Sequence, residues 1–311
     1  FMYLAKQEKI TTIDQIIMGE GKTILHRFFN GVSLFFLFGV AVIMLAGAGS
    51  LLNELLGIPY FVGSACLTVL LAILSMKGMK GILVISQTVV PILLVLVVII
   101  SLWSMVIFPA EEISGTLSQN GNPLLGNWFL ATLSFFSYNI LAALAVLTPA
   151  AQRTTDMKTI KKGIVQGSIQ LLLIFACILI SLQRFYGRIE GANFPMQALA
   201  GQLSPVLGTL YAVLLLSAMF SGALSCMFGA TVQLFGEKEK KKSVILMLWG
   251  IALVCSMAGF KELISVIFPV CGYAYLIAMP LTFRRFLTIR RKVGEAMNLS
   301  HNKYDDLVST R

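Results

Sequence analysis

Charged residues along this chain are separated by long apolar runs of similar length. Uncharged stretches cover 28–53, 55–76, 81–110, 113–152, 163–183, 191–236, 243–260 and 263–283. A helix needs about 20 predominantly apolar residues to cross the hydrocarbon core of a bilayer, so each stretch predicts one crossing. Two stretches are long enough for two crossings. Both open on polar, breaker-rich sequence, Gly115 to Asn127 and Gly191 to Ser204, which reads as loop. Eight helical spans are therefore expected. Transmembrane barrels alternate over short segments, whereas these runs are continuous, as from Ile92 to Leu102, so strands are set aside.

Composition agrees with that pattern. Hydrophobic residues make up 57% of the chain and charged ones 12%, with a mean hydropathy of +0.86. A soluble domain carries roughly 25% charged residues, so the bilayer has to be the solvent here.

The net charge of +10 changes meaning once the charges are placed. With the segment before the first span in the cytoplasm and alternation from there, all but three of the 24 Lys and Arg residues fall on the cytoplasmic side. The exceptions are Arg184, Arg188 and Lys261. This is the positive-inside bias, so the basic excess predicts topology and no nucleic-acid partner. Both ends of the chain are expected in the cytoplasm.

Candidate chemistry narrows the function further. No span interior carries an Asp, Glu or His, so the ionisable relay of a proton pump is missing. Glu54 and Glu262 stand at span ends, His26 at a boundary and His301 in the tail. No phosphate loop, dinucleotide fingerprint or catalytic triad is present. The expectation is no enzyme, no catalytic residue and no metal site. Cys66, Cys177, Cys226, Cys255 and Cys271 all fall within spans, without ligand or disulfide spacing, and read as small buried residues.

The first three spans resemble the last three. Span three has Pro91 about a third of the way in, and span eight has Pro269 at a similar depth. Span one is rich in small residues (Gly39, Ala46, Gly47, Ala48, Gly49) and ends Glu54-Leu55-Leu56-Gly57. Span six is also small-rich and ends Gln233-Leu234-Phe235-Gly236. An offset of five reverses orientation in the membrane, as in five-plus-five inverted-repeat transporters, here with two helices fewer at the front. Phe1-Met2-Tyr3-Leu4-Ala5 reads as the tail of a preceding span.

The stretch Leu37 to Gly49, followed by Leu56-Gly57-Ile58-Pro59-Tyr60, resembles the third and fourth helices of the YkvI family of bacterial membrane proteins. Lys80-Gly81-Ile82 with Val90-Pro91 resembles that family's fifth helix, and Phe136-Ser137-Tyr138-Asn139 with Val146-Leu147 its sixth. The resemblance implies membership of the amino acid–polyamine–organocation superfamily and an all-α, LeuT-like five-plus-five bundle lacking its first two helices. It implies one transmembrane domain over 1–311. Residues 1–27 form a cytoplasmic lead, 28–107 spans three to five, 108–127 an external loop, 128–283 spans six to ten, and 284–311 a cytoplasmic tail.

The same resemblance implies a secondary transporter of a small amino acid or amine, coupled to sodium or protons, in the bacterial cytoplasmic membrane. The alternative is a non-transporting receptor subunit of the same fold, such as a spore-germination receptor component. Polar residues within spans mark the candidate site. Ser134, Ser137, Tyr138 and Asn139 sit together in the fourth span, which corresponds to the fold's second broken helix, where unwound backbone would meet a substrate. Gly47 is a packing position that also has room for substrate. Ser217, Ser221 and Ser225 recur every four residues on the sixth span. The resemblance makes that stripe the seat of sodium where sodium is the coupling ion, and no cofactor is expected beside it. The expected partners are a small-molecule substrate and the lipid bilayer, with the oligomeric state left open.

Overall fold

A computed structural model describes residues 24–77, 80–108, 122–153, 157–189, 191–235, 242–277, 279–280, 283–284 and 287–288. The expected lead at Phe1 to Ala5, the loop over 109–121 and the tail beyond 288 lie outside the described residues. The described secondary structure is helical, with no strand among the described residues.

Eight of the helices coincide with the eight uncharged stretches. They are α1 (Ile24–Leu56), α2 (Tyr60–Lys77), α3 (Lys80–Ile107), α4 (Trp128–Arg153), α5 (Met157–Arg184), α8 (Pro205–Phe235), α9 (Lys242–Ser256) and α10 (Phe260–Ile277). Among the described residues, five of them, α1, α3, α5, α8 and α10, hold segments long and apolar enough to cross a membrane. With 15 residues, α9 spans about 22 Å at 1.5 Å per residue, short of a core of roughly 30 Å. Pro91 in α3 and Pro269 in α10 both lie inside helices that continue past them, as does Pro149 near the end of α4. Transmembrane helices tolerate such a residue because neighbouring groups satisfy the freed carbonyl.

One expected loop is partly helical. Within the stretch Gly191 to Ser204 stands α7 (Pro195–Leu203), preceded by the single turn α6 (Tyr186–Ile189). Pro195 occupies the first turn, where its missing N–H costs nothing. Met196, Leu199 and Ala200 bury one face at helical spacing. The breakers thus bound a short helix instead of abolishing it. The turn after α1 is set by Gly57, whose φ of +66° favours glycine, while its N–H donates to the Asn53 carbonyl at 3.0 Å.

The chain sorts into two compact units. The first holds residues up to Ser33, Leu125–Gly163 and Phe268 onward. Its described residues include the start of α1, all of α4 and the end of α10. Ser33 and Tyr275 are buried there and share a hydrogen bond of 2.5 Å. The Tyr275 ring lies 6.0 Å from that of Phe29.

The second unit holds Leu34–Leu124 and Ile164–Ile267. Within it α8 packs against α2, α3 and α7, and α9 against α2. One core joins Val42 and Leu45 of α1, Leu71 of α2, Leu224 of α8 and Trp249 of α9. The Trp249 indole, fully buried, donates to Ser75 Oγ at 3.0 Å. A second core joins Ile100 of α3 to Phe185, Leu199 and Tyr211. Gly49 lets α2 approach α1 so closely that Ser64 Oγ occupies the place of a Cβ.

Apolar side chains also cover the outside. Leu172, Leu173, Phe175 and Leu179 on α5 are exposed, as are Val95, Val106 and Val254 on other helices. In water such surface would drive association; in a bilayer it is the lipid-facing side. The cysteines follow the same logic. Cys271 is buried, but Cys66 and Cys255 are exposed, correcting the expectation that all five are enclosed. A lipid-solvated thiol needs no protein cover.

Candidate functional site

In the first unit, α4 and α10 form a small polar contact. Ser134, Ser137 and Tyr138 fall at i, i+3 and i+4 on α4, one face of the helix. Ser134 and Ser137 are each 2% exposed, and neither hydroxyl has a hydrogen-bond partner among the described residues. Ser134 Oγ lies against Gly272 of α10, where any Cβ would collide with it. Tyr138 stacks on Phe268 with ring centroids 4.7 Å apart and planes 13° from parallel, and Phe135 meets Tyr138 edge-on at 5.5 Å. Gly272 and Phe268 were not singled out in the sequence. The only signal was a glycine in an apolar span.

Asn139 does not join this face. It is exposed, and its Nδ2 donates to the Phe135 carbonyl at 2.8 Å, one turn back on its own helix. The expected break is also absent, since α4 is a continuous helix from Trp128 to Arg153. The segment from Trp128 to Thr148 contains neither glycine nor proline, so nothing in it forces the backbone to unwind. What α4 offers a ligand is hydroxyl and aromatic chemistry, not freed backbone groups.

The other candidates lie in the second unit. Gly47 is a close-packing position: a Cβ there would stand 2.9 Å from Phe260 Cε2 and 3.1 Å from Met219 Cε. Those two side chains fill the space beside it. Ser217 Oγ donates to the Val213 carbonyl at 2.8 Å, Ser221 to Ala218 at 3.1 Å and Ser225 to Ser221 at 2.9 Å. Each serine is thus satisfied within α8 and keeps oxygen lone pairs to offer. Ser221 is buried. Among the described residues no group of three or more His, Cys, Asp or Glu side chains is placed to hold a metal ion.

Apolar helices of spanning length, lipid-suited exteriors and buried polar clusters between helices define a multi-pass, all-α membrane protein. Within that class the chain is similar to YkvI. It is 28% identical over 255 residues to the uncharacterized membrane protein YkvI of Bacillus subtilis (strain 168), covering 80% of this chain and 71% of that protein. It is 22% identical over 252 residues to the uncharacterized protein YyaD of the same organism, with the same coverage. No family model matches the chain, and neither does any solved structure.

Proposed function

We propose that the chain forms the membrane body of a secondary active transporter for a small amino acid or amine. It works by alternating access in a bacterial cytoplasmic membrane, with both chain ends on the cytoplasmic side. The observation that carries this reading is the pair of buried, unpartnered hydroxyls at Ser134 and Ser137 beside the Tyr138–Phe268 stack. An unsatisfied buried hydroxyl costs about 1–3 kcal/mol, and two on one helical face are best explained by a polar ligand that pairs with them.

The coupling ion in this reading is sodium, seated on the α8 oxygens of Ser217, Ser221 and Ser225. Neutral oxygens suit a hard monovalent cation. The likeness of α1–α3 to α8–α10, with Pro91 and Pro269 inside their helices, supports an inverted-repeat arrangement. The test is uptake of labelled amino acids and amines by the full-length protein in liposomes under a sodium gradient. Saturable, gradient-dependent accumulation supports the proposal. Specific binding without accumulation under sodium or proton gradients assigns a receptor instead.

A further inference from the structure

Three serines are fully buried where α3 meets α5, namely Ser101 and Ser104 on α3 and Ser181 on α5. Ser104 Oγ donates to the Ser101 carbonyl at 2.8 Å. Ser181 Oγ donates to Cys177 O at 2.8 Å and approaches the Ser101 carbonyl at 3.4 Å. Those bonds use the hydroxyl hydrogens of Ser104 and Ser181. The Ser101 hydroxyl has no partner among the described residues, and neither does the buried Nε of Arg184, one turn beyond Ser181.

Two contacts fix the register of these helices. Ser181 meets Ser101, and further along the Phe185 ring lies 5.8 Å from Phe108, with Arg188 over the same Phe108 ring at 4.5 Å. Residues 101–108 and 181–188 therefore run side by side, which places Arg184 level with Ser104. The Arg184 guanidinium carbon is 5.9 Å from the Phe185 ring centroid, and the side chain makes no ion pair among the described residues. One packed face thus carries two orphan donors, one of them cationic. Arg184 is half-buried with its Nε enclosed, so a water molecule would satisfy the two hydrogens, whereas an anion would pair with both and also with the charge.

We propose that α3 and α5 hold a small monovalent anion, chloride or the carboxylate of a small solute, between the Ser101 hydroxyl and Arg184 Nε. The site uses none of the α4 hydroxyls and none of the α8 serine stripe, and it stands whether or not the protein transports. Arg184 supplies charge and one directed donor, while Ser101 supplies the second donor.

The test is thermal unfolding of the purified full-length protein in sodium chloride, sodium acetate and sodium gluconate at equal ionic strength. Sodium is constant throughout, so the α8 serines do not enter. A ligand that binds only the folded state raises the midpoint in a saturable way. The expected result is a rise over gluconate in chloride, in acetate or in both, lost in Ser101→Ala and in Arg184→Gln. A response to chloride alone assigns a halide, and one to acetate alone a carboxylate. Arg184→Lys keeps the charge without the Nε donor and is expected to lose most of the rise. Ser101→Ala removes a single oxygen and keeps the test open if the arginine variants fold poorly. No anion dependence in the unmodified protein, or dependence retained in Ser101→Ala, overturns the proposal.

Discussion

Ser134 of α4 and Gly272 of α10 touch so closely that the Ser134 carbonyl lies 2.9 Å from where a Cβ on residue 272 would stand. The serine hydroxyl fills the rest of that space. A side chain at 272 must therefore push the helices apart or turn Ser134 out of its buried position. Gly272→Ala is expected to cost about 1–3 kcal/mol, the usual range for overpacking, and to abolish substrate binding. Thermal unfolding together with a binding assay measures both. A stable variant with normal affinity would show that this contact is not part of the site.

Tyr138 is expected to act through its ring. It stacks on Phe268 at 4.7 Å, an arrangement that a phenylalanine preserves. Tyr138→Phe should keep binding within severalfold of the original, while Tyr138→Ala, losing a stack worth about 0.5–1.5 kcal/mol plus its buried area, should weaken it tenfold or more. Equal loss in both variants would shift the role to the hydroxyl.

The α8 stripe gives a different kind of prediction. Ser221 donates to Ala218 at 3.1 Å within its own helix, so Ser221→Ala should leave the fold intact. If its oxygen coordinates sodium, the variant raises the sodium concentration needed for half-maximal uptake by severalfold. An unchanged sodium dependence removes α8 from the ion site.

Ser33 and Tyr275 supply a test of fold alone. Their hydrogen bond closes 242 positions of chain. Membrane-buried hydrogen bonds average about 0.6 kcal/mol in double-mutant cycles. Ser33→Ala, Tyr275→Phe and the double variant are expected to give a coupling of that size. A coupling of zero would mean the two helices are held together by packing alone.

The large features were legible because the bilayer imposes them on the sequence. A run without charge has to be a helix, so the stretch 81–110 announced α3 and 163–183 announced α5. Helix ends within the polar stretches were harder, because α7 depends on Pro195 being a good first residue and on three apolar side chains finding cover. The candidate site was half legible. Ser134, Ser137 and Tyr138 could be picked out because hydroxyls are costly in lipid, but Asn139 carries the same signal and points away from them. Phe268 and Gly272 were invisible, since their role comes from what lies opposite. The expected unwinding of α4 came from a family resemblance, and residues 128–148, which hold neither glycine nor proline, give the backbone no reason to break there. Ser101 passed unremarked, and Arg184 stood out only as one of three basic residues off the cytoplasmic side, because neither becomes unusual as a donor until both lack partners.

The most direct test of the transport reading compares uptake by the full-length protein in liposomes with that of the double variant Ser134→Ala, Ser137→Ala. Both hydroxyls lack partners, so removing them should leave stability unchanged or slightly improved. The account predicts saturable, ion-gradient-driven uptake of an amino acid or amine by the unmodified protein, with uptake by the equally stable double variant reduced at least tenfold. Unaltered uptake by the double variant, or no uptake of any such solute by the unmodified protein, would contradict it.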